Sequence, residues 1–475
     1  MNHELTPLDS AFLLLEVPGS AMNIGAVISL EAEKYSDPTK CFELIRNTLA
    51  ERIHEIPVFT QRVVRAPLDL AWPILVPDAE FDIAHHVRRA SLPAPGSEEQ
   101  FDELIAAFWS RPLPRNRPLW QLIIVDGRAD GHAVVVLKVH HSLADGVSGA
   151  ETFASLFDVT SEIRAPEPYP LSSASAAFTS PRSVRQRCAE LARHPTRLAK
   201  NVASWLLRIW SVGRATAKFM VLGRRRAAPG QPSIFEARRT SFGGTPGREK
   251  EFCSLRVPLD DVKRAAHSRG ASVTDFVMTV ASGALRRLME ERGEVLEKDL
   301  VAFVPINVRG EGSTAVLGNQ ISCKLVALHA DVADPEMRLA AIARDSACTA
   351  AIERAKGAQL LQRIPQVLGP TLLAAAGRVA SRLGLFDIAP PIANVMISSV
   401  PGPPIALWLS GLSVQSIVPV GPLLGGFALN ITVLGYCDNL EFGLLGATNR
   451  VPDVALLRDH LLAEASFFID TTASQ

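Results

Sequence analysis

At 475 residues the chain is too long for a single ordinary core, so two domains are expected. Lys plus Arg and Asp plus Glu balance at 49 each, a neutral total that gives no support to nucleic-acid binding as the main role. Six cysteines (Cys41, Cys188, Cys253, Cys323, Cys348, Cys437) are scattered with no C-x-x-C spacing, which argues against a disulfide frame or a zinc site and fits reduced thiols in a cytosolic protein.

Residues 1–19 carry acids and a proline and lack a basic start before an apolar core, so no secretory signal is expected. No uninterrupted apolar stretch reaches the length of a spanning helix, and any membrane contact is expected to be peripheral. Up to about residue 160, amphipathic helical patterns alternate with β-rich runs such as Ala26 to Leu30, Leu122 to Val125 and Ala133 to Val139, which reads as α/β. Pro, Ser and Ala crowd residues 163–181, as in a linker or surface excursion. Residues 182–226 then hold twelve Lys or Arg against the single acid Glu190, interspersed with Trp205, Leu206, Ile209, Trp210, Phe219, Met220 and Leu222. That mixture suits an interfacial helix that buries aromatics among acyl chains and sets its cations near anionic headgroups. A helix packed on the protein's own acidic surface is the competing reading.

From about residue 250 a second α/β set follows, with β-rich runs at Val301 to Val308, Ile321 to Leu328, Val395 to Ser399 and Asn430 to Leu434. The chain therefore divides into residues 1–162, 163–249 and 250–475. In the last part a helix over Thr274 to Arg292 places Val277, Val280, Ala281, Ala284, Leu285 and Leu288 at helical spacing, as core packing requires. Thr274 and Asp275 stand at its start, where capping accounts for Asp275 and competes evenly with substrate contact for Thr274. An apolar helix near Leu368 to Leu385 could join the membrane-facing segment or belong to the core, and core is the preferred reading.

The densest chemistry is His140-His141-Ser142-Leu143-Ala144-Asp145-Gly146, at the end of the Ala133 to Val139 strand. Adjacent side chains of an extended chain point to opposite faces, so one histidine can face a reaction cavity while the other packs. An imidazole titrates near neutrality and can take a proton from an alcohol and return it to a leaving group, whereas a thioester carbonyl needs only stabilisation of its oxyanion. The combination points to acyl transfer. Asp145, in a Gly-flanked turn, is read as structural, bonding nearby backbone or pairing with an Arg that locks the loop. His85-His86 also follows an apolar segment, but no Asp-Gly follows it, so packing is expected there. Gly310-Glu311-Gly312-Ser313-Thr314-Ala315 matches G-x-G-x-x-A without the helix such a loop requires, and Gly146-Val147-Ser148-Gly149-Ala150 lacks the last glycine of the serine elbow. Neither a nucleotide cofactor nor an acyl-serine route is expected, and no metal.

His140 to Gly146 resembles the HHxxxDG motif of the coenzyme A-dependent acyltransferase superfamily, and the flanking segments resemble its wax ester synthase/diacylglycerol acyltransferase family. These are Leu5-Thr6-Pro7-Leu8-Asp9 with Phe12, Arg117-Pro118-Leu119-Trp120, Val304-Pro305-Ile306-Asn307-Val308-Arg309, Leu317-Gly318-Asn319, Ser399-Val400-Pro401-Gly402-Pro403 and Ala428-Leu429-Asn430-Ile431-Thr432, in the family's order and over nearly the whole chain. Three positions depart from its pattern: Thr274-Asp275 where an Asn-Asp pair is common, Asn307 at the serine of Pro-x-Ser-x-Arg, and Pro114 where an Asp precedes the Pro-Leu-Trp element. The resemblance implies two similar chloramphenicol-acetyltransferase-like α/β sandwiches with an active-site channel between them. It implies that His141 is the base, that His140 supports it and that Asp145 fixes the loop, with Asn319 and Thr274 as weaker candidates for substrate or oxyanion contact. The implied reaction moves a long-chain acyl group from acyl-coenzyme A, a co-substrate rather than a resident cofactor, to diacylglycerol in storage-lipid synthesis. Wax ester synthesis from a long-chain alcohol is the nearest rival, and a non-catalytic lipid-binding protein of the same fold is another. The expected setting is cytoplasmic, peripheral to a membrane or lipid droplet.

Overall fold

The computed structural model describes residues 3–32, 37–143, 155–165, 232–233, 236–294, 296, 298–307, 321–353 and 360–473. Two six-stranded sheets organise them. The first is built on β7 (Ala133–His140), which pairs antiparallel with β2 (Asn23–Leu30) on one side and β6 (Trp120–Asp126) on the other, and β5 (Val87–Ser91) adds parallel to β6. Every residue of β7 is buried because the strand is covered on both faces, which is why it reads as a continuous apolar run rather than an alternating one. Val135, Leu137 and Val139 face α2 (Pro38–Arg52), packing with Cys41, Ile45 and Leu49. Val134 and Val136 face the other way, toward Phe101, Ile105 and Trp109 of α3 (Glu98–Ser110).

The second sheet runs β11 (Ile321–Ala327), β10 (Val301–Asn307), β12 (Val395–Val400), β16 (Leu429–Tyr436), β17 (Asn439–Ala447), β9 (Lys250–Pro258). Four helices go with it: α4 (Leu259–His267), α5 (Val273–Glu291), α6 (Pro335–Glu353) and α9 (Val454–Ala473). The expected core stripe of α5 is realised, with Val277, Val280, Ala281, Ala284, Leu285 and Leu288 all fully buried in one cluster with Leu429, Ile431, Phe442 and Phe468. Its start is one residue earlier than the pattern suggested, because Ser272 is the cap: its hydroxyl accepts from the Asp275 N–H at 3.1 Å while the Asp275 carboxylate accepts from the Ser272 N–H at 2.9 Å.

The sheets do not follow the chain division at residue 250. β13 (Trp408–Leu409) and β14 (Leu412–Val420) leave the C-terminal half and join the first sheet, β14 pairing antiparallel with β2 from Val414↔Leu30 to Val420↔Gly25. β14 also crosses β17 so closely that a Cβ on Gly443 would lie 1.8 Å from the Pro419 carbonyl oxygen. Val418 and Val420 thereby share a core with Phe252, Leu445 and Ala447 of the second sheet and Val134 and Val136 of the first, so the two halves are joined by apolar packing.

Smaller elements complete the site's surroundings. β1 (His3–Glu4), β4 (Ile74–Pro77) and β3 (Gln61–Val64) form a three-stranded sheet, and β15 (Gly426–Phe427) pairs with β8 (Gly243–Gly244). α1 (Pro7–Leu14) packs against α7 (Leu360–Arg382), which is followed by the short α8 (Leu385–Ile388). The expected core character of the α7 region holds for Leu373 and Ala374, which are buried on Ala11 and Leu14, whereas Val379 and Leu383 are exposed. Gly377 permits the approach, since a Cβ there would stand 3.0 Å from the Leu14 carbonyl oxygen. No helix among the described residues is long and apolar enough to cross a membrane.

Candidate active site

The two histidines part company at the end of β7. The His140 N–H donates to the Leu119 carbonyl at 2.9 Å and the His141 N–H to the Met22 carbonyl at 2.7 Å, so neighbouring strands on both sides hold the dipeptide. A turn then closes, Leu143 N–H to His140 carbonyl at 2.9 Å. His140 is fully buried. Its Nδ1 accepts the Ser142 backbone N–H at 3.1 Å and lies 2.7 Å from the Ser142 hydroxyl. A ring nitrogen that accepts a backbone N–H carries no proton, which leaves the neutral ring's proton on Nε2, 3.9 Å from a Glu16 carboxylate oxygen. Burial, the Arg115 cation and His141 push the His140 pKa well below the usual histidine value.

His141 is half-buried and stacks on Phe12, with ring centroids 4.3 Å apart and planes 13° from parallel. Phe12 is delivered by the opening segment: Thr6 caps α1 by accepting the Asp9 N–H, Pro7 occupies the first helical position, and Asp9 accepts the Thr6 hydroxyl at 2.6 Å. The Pro-Leu-Trp element supplies the wall behind β7. Leu119 and Trp120 are buried, the Trp120 indole donates to the Phe59 carbonyl at 2.8 Å, and His86 stacks on Trp120 at 4.5 Å with its Nδ1 2.9 Å from the Trp120 carbonyl. His86 packs as expected, while His85 lies half-exposed near Asp82.

Glu16 and Arg115 were not singled out by sequence reasoning. They pair with each other beside His140, and burial lowers the Arg115 guanidinium to about 10, so it remains cationic at neutral pH. Glu16 thus faces both a permanent cation and the Nε2 edge of His140. With about a hundred residues between Glu16 and Arg115, only the Pro-Leu-Trp element three residues beyond Arg115 and the helix signature before Glu16 could have drawn attention to either.

In the C-terminal half, Asn430 and Thr432 are buried and joined, Thr432 Oγ1 donating to Asn430 Oδ1 at 2.6 Å while Asn430 Nδ2 donates to the Pro422 carbonyl at 3.1 Å. They fasten the loop after β14, where a Cβ on Gly421 would meet both side chains at 2.4–2.6 Å. Thr274 is the second residue of α5 and is partly exposed. Asp145, Asn319, the basic stretch 182–226 with Trp205 and Trp210, Cys188 and the two near-motifs at 146–150 and 310–315 lie outside the described residues. Among the described residues, Asp299, His329 and Asp331 bring potential metal ligands within 4.8 Å of one another. There Asp299 Oδ1 already accepts two backbone N–H groups and His329 Nε2 meets Asp345 at 2.9 Å, the bonding of a braced hairpin.

Residues 5–277 match the profile of the wax ester synthase/diacylglycerol acyltransferase catalytic domain, and residues 317–466 that of the WS/DGAT C-terminal domain. A Mycobacterium tuberculosis protein that carries the name diacylglycerol O-acyltransferase is 32% identical over 456 residues, 95% of this chain and 87% of that protein. Another of that species with the same name is 29% identical over 466 residues, 96% of this chain and 93% of its own. Among solved structures, the wax ester synthase/diacylglycerol acyltransferase from Marinobacter aquaeolei VT8 superposes with a TM-score of 0.69 at 23% identity, over 99% of this chain and 100% of that one. The first condensation domain of the calcium-dependent antibiotic synthetase does so with a TM-score of 0.56 at 17% identity, over 99% and 97%. These likenesses show the mixed α/β two-domain fold.

Proposed function

Since the chain belongs to the wax ester synthase/diacylglycerol acyltransferase family, we propose that it transfers a long-chain acyl group from acyl-coenzyme A to diacylglycerol, giving triacylglycerol. The observation that carries this reading is the pair of imidazoles at the end of β7, one sealed in protein and held neutral, the other half-buried against Phe12. His141 is the base. It takes the acceptor's hydroxyl proton as the oxygen attacks the thioester carbonyl, and the proton leaves with coenzyme A as its thiol when the tetrahedral intermediate collapses. His140 holds the turn through Ser142, and Asp145 fixes the loop that follows. No resident cofactor or metal is needed for these steps, and Thr274 and Asn319 are candidates for substrate contact.

The acceptor resides in bilayers or droplets, so the protein works in the cytoplasm, peripherally associated with a lipid surface. The twelve cations and two tryptophans of residues 182–226 support that placement. Purified protein with radiolabelled palmitoyl-coenzyme A and diacylglycerol and hexadecanol in competition tests the reading. Predominant triacylglycerol formation is expected; predominant wax ester would transfer the assignment to the long-chain alcohol, since pocket shape rather than the base decides between them. No ester from either acceptor would leave a lipid-binding protein of the same fold.

A further inference from the structure

The turn between β3 and β4 holds an unusual backbone. In Pro67-Leu68-Asp69-Leu70, both Leu68 (φ 56°) and Asp69 (φ 54°) adopt the left-handed conformation, which is routine for glycine but costly for a residue with a branched apolar side chain. The strain is held in place by Asp69. Its carboxylate is buried and accepts from Arg65 Nε at 3.0 Å, Arg65 Nη2 at 2.7 Å and Arg378 Nη1 at 3.2 Å, and its carbonyl accepts the Thr371 hydroxyl at 2.6 Å. What this arrangement presents is Leu68, 80% exposed, with Leu70 at 47% beside it. A glycine at position 68 would relieve the strain, and a side chain so exposed packs little against the fold, so neither backbone nor core explains the leucine. Strain of that kind, fixed by a set of surrounding bonds, points to a use for the side chain.

The bonds from Thr371 and Arg378 place the loop against α7, whose exposed Val379 lies next to Arg378 and Arg382 and four residues before the exposed Leu383, which follows the helix end and bonds back to it (Leu383 N–H to the Val379 carbonyl). The exposed leucines and valine are thus set among three arginines, Arg65, Arg378 and Arg382, with Asp69 the carboxylate bonded to two of them. Beneath α7 lies α1, and α1 carries Phe12, the ring stacked on His141. The surface is therefore a single helix layer from the proposed catalytic imidazole.

We propose that the Pro67–Leu70 turn and the exposed Val379 and Leu383 at the C-terminal end of α7 form the surface that docks on a lipid layer bearing anionic headgroups, the leucines entering the acyl region and the arginines engaging the headgroups. Apolar tips surrounded by cations match that partner's two chemistries, and the proximity to His141 gives a lipid acceptor a short path. This inference rests on the reading of the protein as an enzyme acting on a lipid acceptor.

Flotation with phosphatidylcholine vesicles containing phosphatidylglycerol tests it, alongside acyl transfer to a short water-soluble alcohol and thermal melting. Leu68→Gly is the sharpest variant: it removes the inserted side chain and relaxes the backbone, so vesicle affinity should fall severalfold while the melting temperature holds or rises. Leu68→Ser/Leu70→Ser/Leu383→Ser should lower affinity by at least about tenfold at any salt, the equivalent of about 1.4 kcal/mol. Arg382→Ser should weaken binding mainly at low salt. Transfer to the soluble alcohol should survive all three. Unchanged flotation of the triple variant with soluble-alcohol transfer intact overturns the docking surface alone, as does flotation lost only on changing Trp205 and Trp210 to Ser. A wild-type dimer that Leu68→Gly splits would assign the surface to a second copy and overturn the proposal. Weakened flotation in a protein with no acyl transfer would uphold the surface and reject the enzymatic reading.

Discussion

Arg52 and Asp158 form a buried ion pair just beyond the segment that follows the histidine motif, and breaking it has a consequence large enough to measure. Arg52 Nη2 donates to both Asp158 oxygens at 2.9 Å, with further bonds to the Leu156 and Arg164 carbonyls at 2.9 Å each, and the two side chains are 1% and 3% exposed. The pair ties residues 155–164 to the end of α2, while Asp158 exchanges backbone bonds with Trp408 at 2.8 Å. Asp158→Ala leaves a guanidinium buried without its counter-charge, a loss of about 3–5 kcal/mol for such pairs. The two carbonyls still serving Arg52 place the expected value near the lower end, about 3 kcal/mol. In a chain of this size unfolding as one unit that corresponds to a fall in melting temperature of roughly 3 °C. Urea denaturation and thermal melting give both numbers. Arg52→Met/Asp158→Leu should recover most of the loss, because an apolar pair of similar volume incurs no charge-desolvation penalty. A loss below about 1 kcal/mol in Asp158→Ala, or a double variant no better than the single, would refute the view that an uncompensated buried charge sets the cost.

Three further outcomes follow from the site and its surroundings. Because the folded-state pKa of His140 is depressed, its contribution to stability is intact above the unfolded value near 6.5 and is lost as pH falls below it, by up to about 1.4 kcal/mol per pH unit. His140→Ala should therefore be less stable than wild type at pH 7.5, with the gap narrowing by pH 5.5 in urea titrations; a constant gap would mean that the ring protonates freely in the fold. Phe12→Leu removes a stacked ring worth about 0.5–1.5 kcal/mol, so the rate of acyl transfer should fall roughly 2- to 10-fold at a nearly unchanged melting temperature, and an unaltered rate would release Phe12 from any part in orienting His141. Asp102 of α3 is raised to about 7, chiefly by burial and then by Glu98, so it lowers stability as pH rises from about 4 to 7. Asp102→Asn should remove that decline, up to about 4 kcal/mol at pH 7.5 relative to pH 4, and identical pH profiles would contradict it.

What the sequence conveyed depended on how local the cause was. The Val-rich run before His140 and the stripe from Val277 to Leu288 announce a strand buried on both faces and a core helix, because burial on those elements is written in consecutive or helically spaced residues. The opening segment is legible only through its family resemblance, and the structure shows it as a capped helix, Pro7–Leu14, that carries the Phe12 ring. By contrast β14 pairs across nearly four hundred residues with β2, and nothing in Leu412 to Val420 says that this strand belongs to the other half's sheet. Glu16 and Arg115 are equally silent, since a single acid and a single base acquire meaning only when the fold sets them beside His140. Capping at the start of the Val277 to Leu288 helix is legible in Asp275, but that Ser272 is the cap shows only in the reciprocal bond between them.

The central claim is that His141 is the base of an acyl transfer. Conversion of labelled acyl-coenzyme A to ester by His141→Ala, measured beside wild type at matched melting temperature, tests it most directly. The rate should drop by about a hundredfold to ten-thousandfold, the usual contribution of a positioned general base, with the fold intact. Near-wild-type turnover in His141→Ala, with the deep loss found instead in His140→Ala protein that melts normally, would contradict the assignment.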